Sequence, residues 1–154
     1  VRTVMRYSRA CANALVSRGI KLLVVACNTV SAVALDMLRV ELDIPVLGAM
    51  ETALHLAALV GDRFGLIAYH ENQYGNLQGL VRRYGMEHKV AGWASSCFDL
   101  PDIVANRDAM VENFVAAAKR LVAERQADVI IPTGISQCPV HIDPRWLSAE
   151  MRRS

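Results

Sequence analysis

Five consecutive aliphatic residues, Leu22-Leu23-Val24-Val25-Ala26, stop at Cys27, and the stretch that follows, Asn28-Thr29-Val30-Ser31, is rich in small polar side chains. An apolar run without alternation suits a strand covered on both faces, as in a parallel sheet with helices above and below. Asn28, Thr29 and Ser31 are all favourable helix N-caps, and helical apolar spacing resumes at Ala32. The pattern predicts a buried strand over 21–26 that delivers Cys27 to a strand-to-helix turn. A thiol inside such a strand would be packing, whereas one at its carboxyl end faces the crevice where open α/β sheets bind ligands. Helix N–H groups favour anions there, and helix N-termini are among the settings that make a thiol reactive. On these grounds Cys27 is a nucleophile, a general acid/base or part of an anion site.

The remaining chain repeats the strand-and-helix theme. Val4, Tyr7, Cys11, Ala14 and Leu15 follow helical spacing over 3–18, with Gly19 in the C′ position, which predicts Cys11 in the core. A helix over about 31–40 carries Ala32, Leu35 and Leu38 on one side, and Asp43-Ile44-Pro45 turns the chain into a strand at 46–48, completing a βαβ unit. A helix over 51–59, a buried strand over 64–68, a helix over 73–84 capped by Gly85, and a strand over 89–93 come next. His70, in the polar segment after the third strand, is a candidate substrate contact because an imidazole can give or take a proton and the residue stands at a strand's carboxyl end. Ser95-Ser96-Cys97 falls in an expected loop over 94–106 with no histidine spaced as a partner. Met110, Phe114, Ala117 and Leu121 mark an amphipathic helix over 107–125, and a fifth strand follows at 128–132. Asp143-Pro144 reads as a turn and the charged end as solvated. This alternation predicts an α/β fold of doubly wound parallel sheets and argues against a bundle or a sandwich.

Composition removes several function classes. A hydrophobic content of 53% with 21% charged residues describes a soluble globular chain, and no apolar run approaches the ~18 residues of a membrane span. The net charge of +2 comes from scattered basic residues without a nucleic-acid stripe. Cys11, Cys27, Cys97 and Cys138 lie too far apart for a zinc site, and the sequence carries no signal peptide, so reduced thiols in a cytoplasm are expected.

The segment Val24-Val25-Ala26-Cys27-Asn28-Thr29-Val30-Ser31-Ala32, with Leu42-Asp43-Ile44-Pro45-Val46-Leu47-Gly48 after one helix, resembles the first half of the aspartate/glutamate/hydantoin racemase superfamily. Arg6-Tyr7-Ser8 is similar to glutamate racemases, whereas Glu51-Thr52-Ala53-Leu54-His55-Leu56-Ala57 and Leu80-Val81-Arg82-Arg83-Tyr84-Gly85 resemble the hydantoin branch. The likeness spans most of 1–140 and is strongest over 20–60. It implies two α/β lobes dividing near Met50, a partial first lobe over 1–50 and a second over 51–154. Members of the superfamily open with a strand and an Asp-Ser loop to which nothing here corresponds. The expectation is a fragment without its N-terminal strand and without the C-terminal return into the first lobe.

The resemblance also implies a mechanism: cofactor-independent racemisation at Cα of aspartate, glutamate or a hydantoin, with two thiols working on opposite faces. Cys27 is the first thiol, and Asn28, Thr29 and Ser31 would anchor the carboxylate or carbonyl. The second lobe's matching strand ends in Thr133-Gly134-Ile135-Ser136-Gln137-Cys138-Pro139. Ile135 there aligns with the expected second cysteine, Ser136 with a threonine and Gln137 with a histidine. Gly134 and Ser136 become substrate contacts in this scheme, and Cys138, three residues on, is the candidate replacement thiol. A single-cysteine decarboxylase or isomerase of the same superfamily is the alternative, and an inactive ligand-binding or truncated domain is another. No cofactor, metal, nucleic acid or membrane is implied. The expected partners are a small carboxylate or hydantoin and a second copy of the chain.

Overall fold

The computed structural model describes residues 1–98, 105–134 and 137. In chain order the regular elements are α1 (Arg2–Val16), β1 (Leu23–Val25), α2 (Asn28–Glu41), β2 (Val46–Gly48), α3 (Ala49–Val60), β3 (Phe64–Ala68), α4 (Tyr74–Arg83), β4 (Val90–Ser95), α5 (Arg107–Arg125) and β5 (Val129–Pro132). Among the described residues all strand pairs are parallel and form two sheets, β1-β2 and β4-β3-β5. Strand β4 runs on to Ser95, past the predicted end at Trp93, because Ala94 and Ser95 pair with Ile67 and Ala68.

The second sheet is wound on both faces. Phe64, Leu66 and Ala68 point to one side, against Met50 and Leu54 of α3 and Leu77 and Leu80 of α4. Ile67 points to the other, against Met110, Phe114 and Leu121 of α5. This period-2 alternation inside an unbroken apolar run is what a central parallel strand requires. Every residue of β3 is buried.

The first sheet is covered on one face only among the described residues. Leu23, Val25 and Val46 pack on Leu35 and Leu38 of α2 and Ala12 of α1. Val24 and Leu47 are register partners on the opposite face, and they remain 57% and 42% exposed. The predicted strand buried on both sides is therefore corrected here: among the described residues α1 and α2 cover one face and leave Val24 and Leu47 exposed on the other.

Helix α1 carries a second correction. Cys11, expected in the core, is exposed, as are Tyr7 and Leu15, while Ala12 is buried. α1 packs along α2, and Arg9 grips Glu41 through two nitrogens at 2.6 and 2.5 Å, which holds the helix with the Ala12 face inward. The packed face of α1 is thus the one with the smaller side chains, Ser8 and Ala12, rather than the row of Tyr7, Cys11 and Leu15. No helix among the described residues is long and apolar enough to cross a membrane.

Candidate active site

Two residues, Ala26 and Cys27, separate β1 from α2, and Cys27 is the N-cap, with φ −118° and ψ 121°. Its carbonyl accepts the Ser31 N–H at 2.8 Å, closing the first turn, and its side chain makes no cap bond and is exposed. The N–H groups of Asn28, Thr29 and Val30 have no carbonyl four residues back within the helix, so they remain available to an anion. Helix α2 thus starts three residues earlier than the spacing predicted, and it puts the thiol on the rim of the helix's first turn. Thr29 is exposed on that rim. Ser31 is only 1% exposed; its hydroxyl lies 3.4 Å from the Val25 carbonyl and beside the Gly48 backbone.

Asn28 connects the two sheets. Its side-chain amide donates to the Thr133 carbonyl just beyond β5, which brings the carboxyl end of β1 to the carboxyl end of β5. The other amide atom, Asn28 Oδ1, is buried and has no hydrogen-bond partner among the described residues. Buried acceptors are nearly always satisfied, so this oxygen is a place for a further donor. A groove of about 550 Å³ opens beside the contact, lined by Ala26, Asn28, Met50, Leu56, Thr133 and Gly134 among others.

The carboxyl ends of the second sheet are stitched by polar side chains. The Thr133 N–H and hydroxyl both donate to the Ile67 carbonyl, at 3.0 and 3.1 Å. Gln137, fully buried, accepts the Gly134 N–H at 3.1 Å and donates to the Ser96 hydroxyl at 3.3 Å. Ser96 is tied by its N–H to the Ala68 carbonyl at 2.9 Å and by its own carbonyl to the Asn113 amide at 3.3 Å. Gly134 sits against the Tyr69 ring so closely that a Cβ would lie 2.3 Å from it. None of Thr133, Ser96, Asn113 or Gln137 stood out as a stitching group in the sequence. The available signal was polarity at strand ends, and for Gln137 its alignment with the superfamily's histidine.

A family model described as Asp/Glu/Hydantoin racemase matches residues 4–131. The chain belongs to that family. The glutamate racemase of Aquifex aeolicus (strain VF5) is 41% identical over 88 residues, 55% of this chain and 35% of the relative. Among solved structures, the allantoin racemase from Klebsiella pneumoniae superposes with a TM-score of 0.73 at 20% identity, over 92% of this chain and 56% of that one. The glutamate racemase from Aquifex pyrophilus superposes with a TM-score of 0.62 at 26% identity, over 86% and 53%. The chain therefore spans about a third of the curated relative it matches and little more than half of the solved ones.

For this racemase-family chain the structure gathers Cys27, Asn28 and Thr29 at one turn and brings Gly134 to face it through the Asn28–Thr133 bond. His70 stands at the same carboxyl edge of the second sheet, half-buried, where it caps the short turn at 71–73. Cys97, two residues beyond β4, has a left-handed φ of 56°, and its sulfur lies 3.2 Å from the Ser95 hydroxyl. Because β3 separates β4 from β5, Cys97 lies roughly 10 Å sideways of the Asn28–Thr133 contact. Ile135, Ser136 and Cys138 lie outside the described residues. Among the described residues no three His, Cys, Asp or Glu side chains converge to hold a metal.

Proposed function

We propose that Cys27 is the acid/base of one face in a cofactor-independent racemase acting at the Cα of an amino acid or a hydantoin-type ring. The Cys27 thiolate takes the Cα proton, and the C–H electron pair stays on carbon and delocalises into the adjacent carboxylate or ring carbonyl. A second acid on the opposite face returns a proton, and the reverse direction exchanges the roles. The N–H groups at the start of α2 and the Thr29 hydroxyl bind the substrate oxygen that receives this charge. Ser31, with its hydroxyl on Val25, serves the turn rather than the ligand.

The observation that carries the reading is Asn28 Oδ1, buried beside the exposed thiol with no partner among the described residues. An α-ammonium or a ring N–H on the inverted carbon supplies the missing donor. The glutamate of the sequence relative and the allantoin of the fold neighbour both carry such a group. A malonate-type decarboxylase substrate does not. In this reading the two sheets are the cores of two lobes, 1–50 and 51–154, with the substrate between them. The second acid belongs to the segment after Gly134, where Ser136 and Cys138 stand, and His70 borders the ligand from β3.

Incubation of the protein with single enantiomers of glutamate, aspartate and a hydantoin in D₂O tests this. The expected result is Cα deuterium incorporation with inversion, abolished by Cys27→Ala. Exchange with retention, or exchange that survives Cys27→Ala, refutes the two-face scheme. One sequence observation favours a second reading: Ile135 aligns with the expected second thiol. A single-cysteine decarboxylase would release carbon dioxide from a substituted malonate in a Cys27-dependent way.

A further inference from the structure

Helix α2 carries the reactive turn at its N-terminus, and its far half is held by a polar cluster that no motif announced. Arg39 donates twice to the Val46 carbonyl, at 3.0 and 2.9 Å, and also to Glu51 Oε1. The same oxygen accepts the Gly48 N–H at 2.8 Å, which caps α3. Glu51 Oε2 accepts the Tyr84 hydroxyl at 2.5 Å. One carboxylate, 11% exposed, thus collects donors from α2, from the β2–α3 turn and from the residue that ends α4. The Tyr84 ring is seated edge-on against His55, 5.7 Å between centroids, and His55 Nδ1 lies 2.7 Å from the Glu51 carbonyl. One helical turn earlier on α2, Asp36 pairs with Arg83.

We infer that Glu51 and Tyr84 are positioning residues that fix the tilt of α2, and through it the placement of Cys27 and Asn28 against Thr133 and Gly134. Helix α2 is anchored at its start by the Asn28–Thr133 bond and at its far end by this cluster, which ties it to elements packed on the second sheet. From Cys27 to Arg39 the rise is about 18 Å. A swing of only about 5° around the Arg39 end therefore moves Cys27 by about 1.5 Å, and a misplacement of ~1 Å in a reacting group is enough to cost a large factor in rate. Burial would by itself raise the Glu51 carboxyl, but the Gly48 N–H, the Tyr84 hydroxyl and the Arg39 guanidinium together hold it below the usual glutamate range. The hub is thus a carboxylate at neutral pH. The effect on catalysis rests on the racemase reading; the effect on α2 does not.

Tyr84→Phe is the discriminating variant, because it removes the bond from Glu51 to the end of α4 and leaves the α3 cap, the Arg39–Glu51 pair and the Asp36–Arg83 pair intact. Hydrogen–deuterium exchange of peptides covering 27–33 is compared with the parent, alongside kcat and KM for racemisation. The expected result is at least threefold faster exchange at 27–33, far from the substitution, and a kcat lowered about tenfold with KM within twofold. Glu51→Gln, which disturbs all the bonds of the hub, should give a larger change in the same direction. Unchanged exchange at 27–33 in Tyr84→Phe overturns the inference whatever the activity, since the cluster then only caps and staples its own neighbourhood. Faster exchange at 27–33 in a protein that racemises none of the substrates upholds the positioning role and refutes the racemase reading alone.

Discussion

Gly134→Ala places a methyl group where the Tyr69 ring already is. The added Cβ would lie 2.3 Å from both Cε2 and the hydroxyl oxygen of Tyr69 and 2.4 Å from Cζ, more than an ångström inside ordinary contact. A surface ring would swing away. Tyr69 is 9% exposed and packs in the cluster with Ile67, Met110 and Phe114, and its N–H is held by the Gln73 side chain at 3.2 Å. Either the ring leaves its packed position or the backbone after β5 retreats, and overpacking of this kind costs about 1–3 kcal/mol. For a chain of this length each kcal/mol lowers the melting temperature by roughly 2–4 °C, so a fall of roughly 2–12 °C is expected. Urea unfolding followed by circular dichroism measures the loss directly. Tyr69→Leu removes the obstacle, so Gly134→Ala should cost less in that background, with a coupling of about 1 kcal/mol or more between the two sites. A single-variant cost below about 0.5 kcal/mol, or equal costs in both backgrounds, refutes the close approach of Gly134 to the ring.

Cys27→Ser leaves stability within about 0.5 kcal/mol, because the thiol is exposed and caps nothing, and should lower Cα exchange by a factor of ~10³ or more. Asn28→Ala strands the Thr133 carbonyl and is expected to cost about 1–3 kcal/mol in urea unfolding, with weakened binding of N–H-bearing ligands by calorimetry. Glu51 has a folded-state pKa below its ordinary 4.5, so the unfolded chain binds the extra proton between the two values. Its contribution to stability is complete above about pH 4.5 and is lost as pH falls through the folded value; Glu51→Gln should flatten that part of the stability–pH profile. Val24→Thr should cost less than about 0.5 kcal/mol and Val25→Thr about 1–3, since the first is 57% exposed and the second 8%; equal costs would mean that the Val24 face is covered in solution.

The second sheet was legible because each of its elements settles its own environment. Phe64–Ala68 is apolar throughout and ends up between two helix layers, and the Met110, Phe114, Ala117, Leu121 spacing fixes the inward side of α5. The first sheet was less legible for the opposite reason. Val24 and Val25 are the same residue type, and which of them is buried depends on how many helices reach the sheet, a property of neighbours rather than of the strand. Cys11 shows the same limit on a helix: Tyr7, Cys11 and Leu15 form the more regular apolar row, yet the face that packs runs through Met5, Ser8, Ala12 and Val16, and α2 together with the Arg9–Glu41 pair sets that choice.

In the site, the sequence carried the chemistry of single residues and lost the contacts that orient them. A thiol after an apolar run and before small polar residues marks a strand-to-helix turn by local rules, so Cys27, Asn28 and Thr29 could be named. The partner of Asn28 is a backbone carbonyl 105 residues away, and carbonyls have no letter in a sequence. Glu51 was legible only as the first residue of a helix and of the segment resembling the hydantoin branch; its hold on Gly48, Arg39 and Tyr84 exists because α2 and α4 end beside it. The division has a physical cause. Reactivity is set by what a side chain is and by the few residues around it in the chain, whereas orientation across a cleft is set by rigid helices whose distant ends are pinned. A family motif can therefore persist whatever becomes of bonds such as Glu51–Tyr84, and exchange at 27–33 reads the hold of those bonds on the Cys27 turn without assuming the reaction.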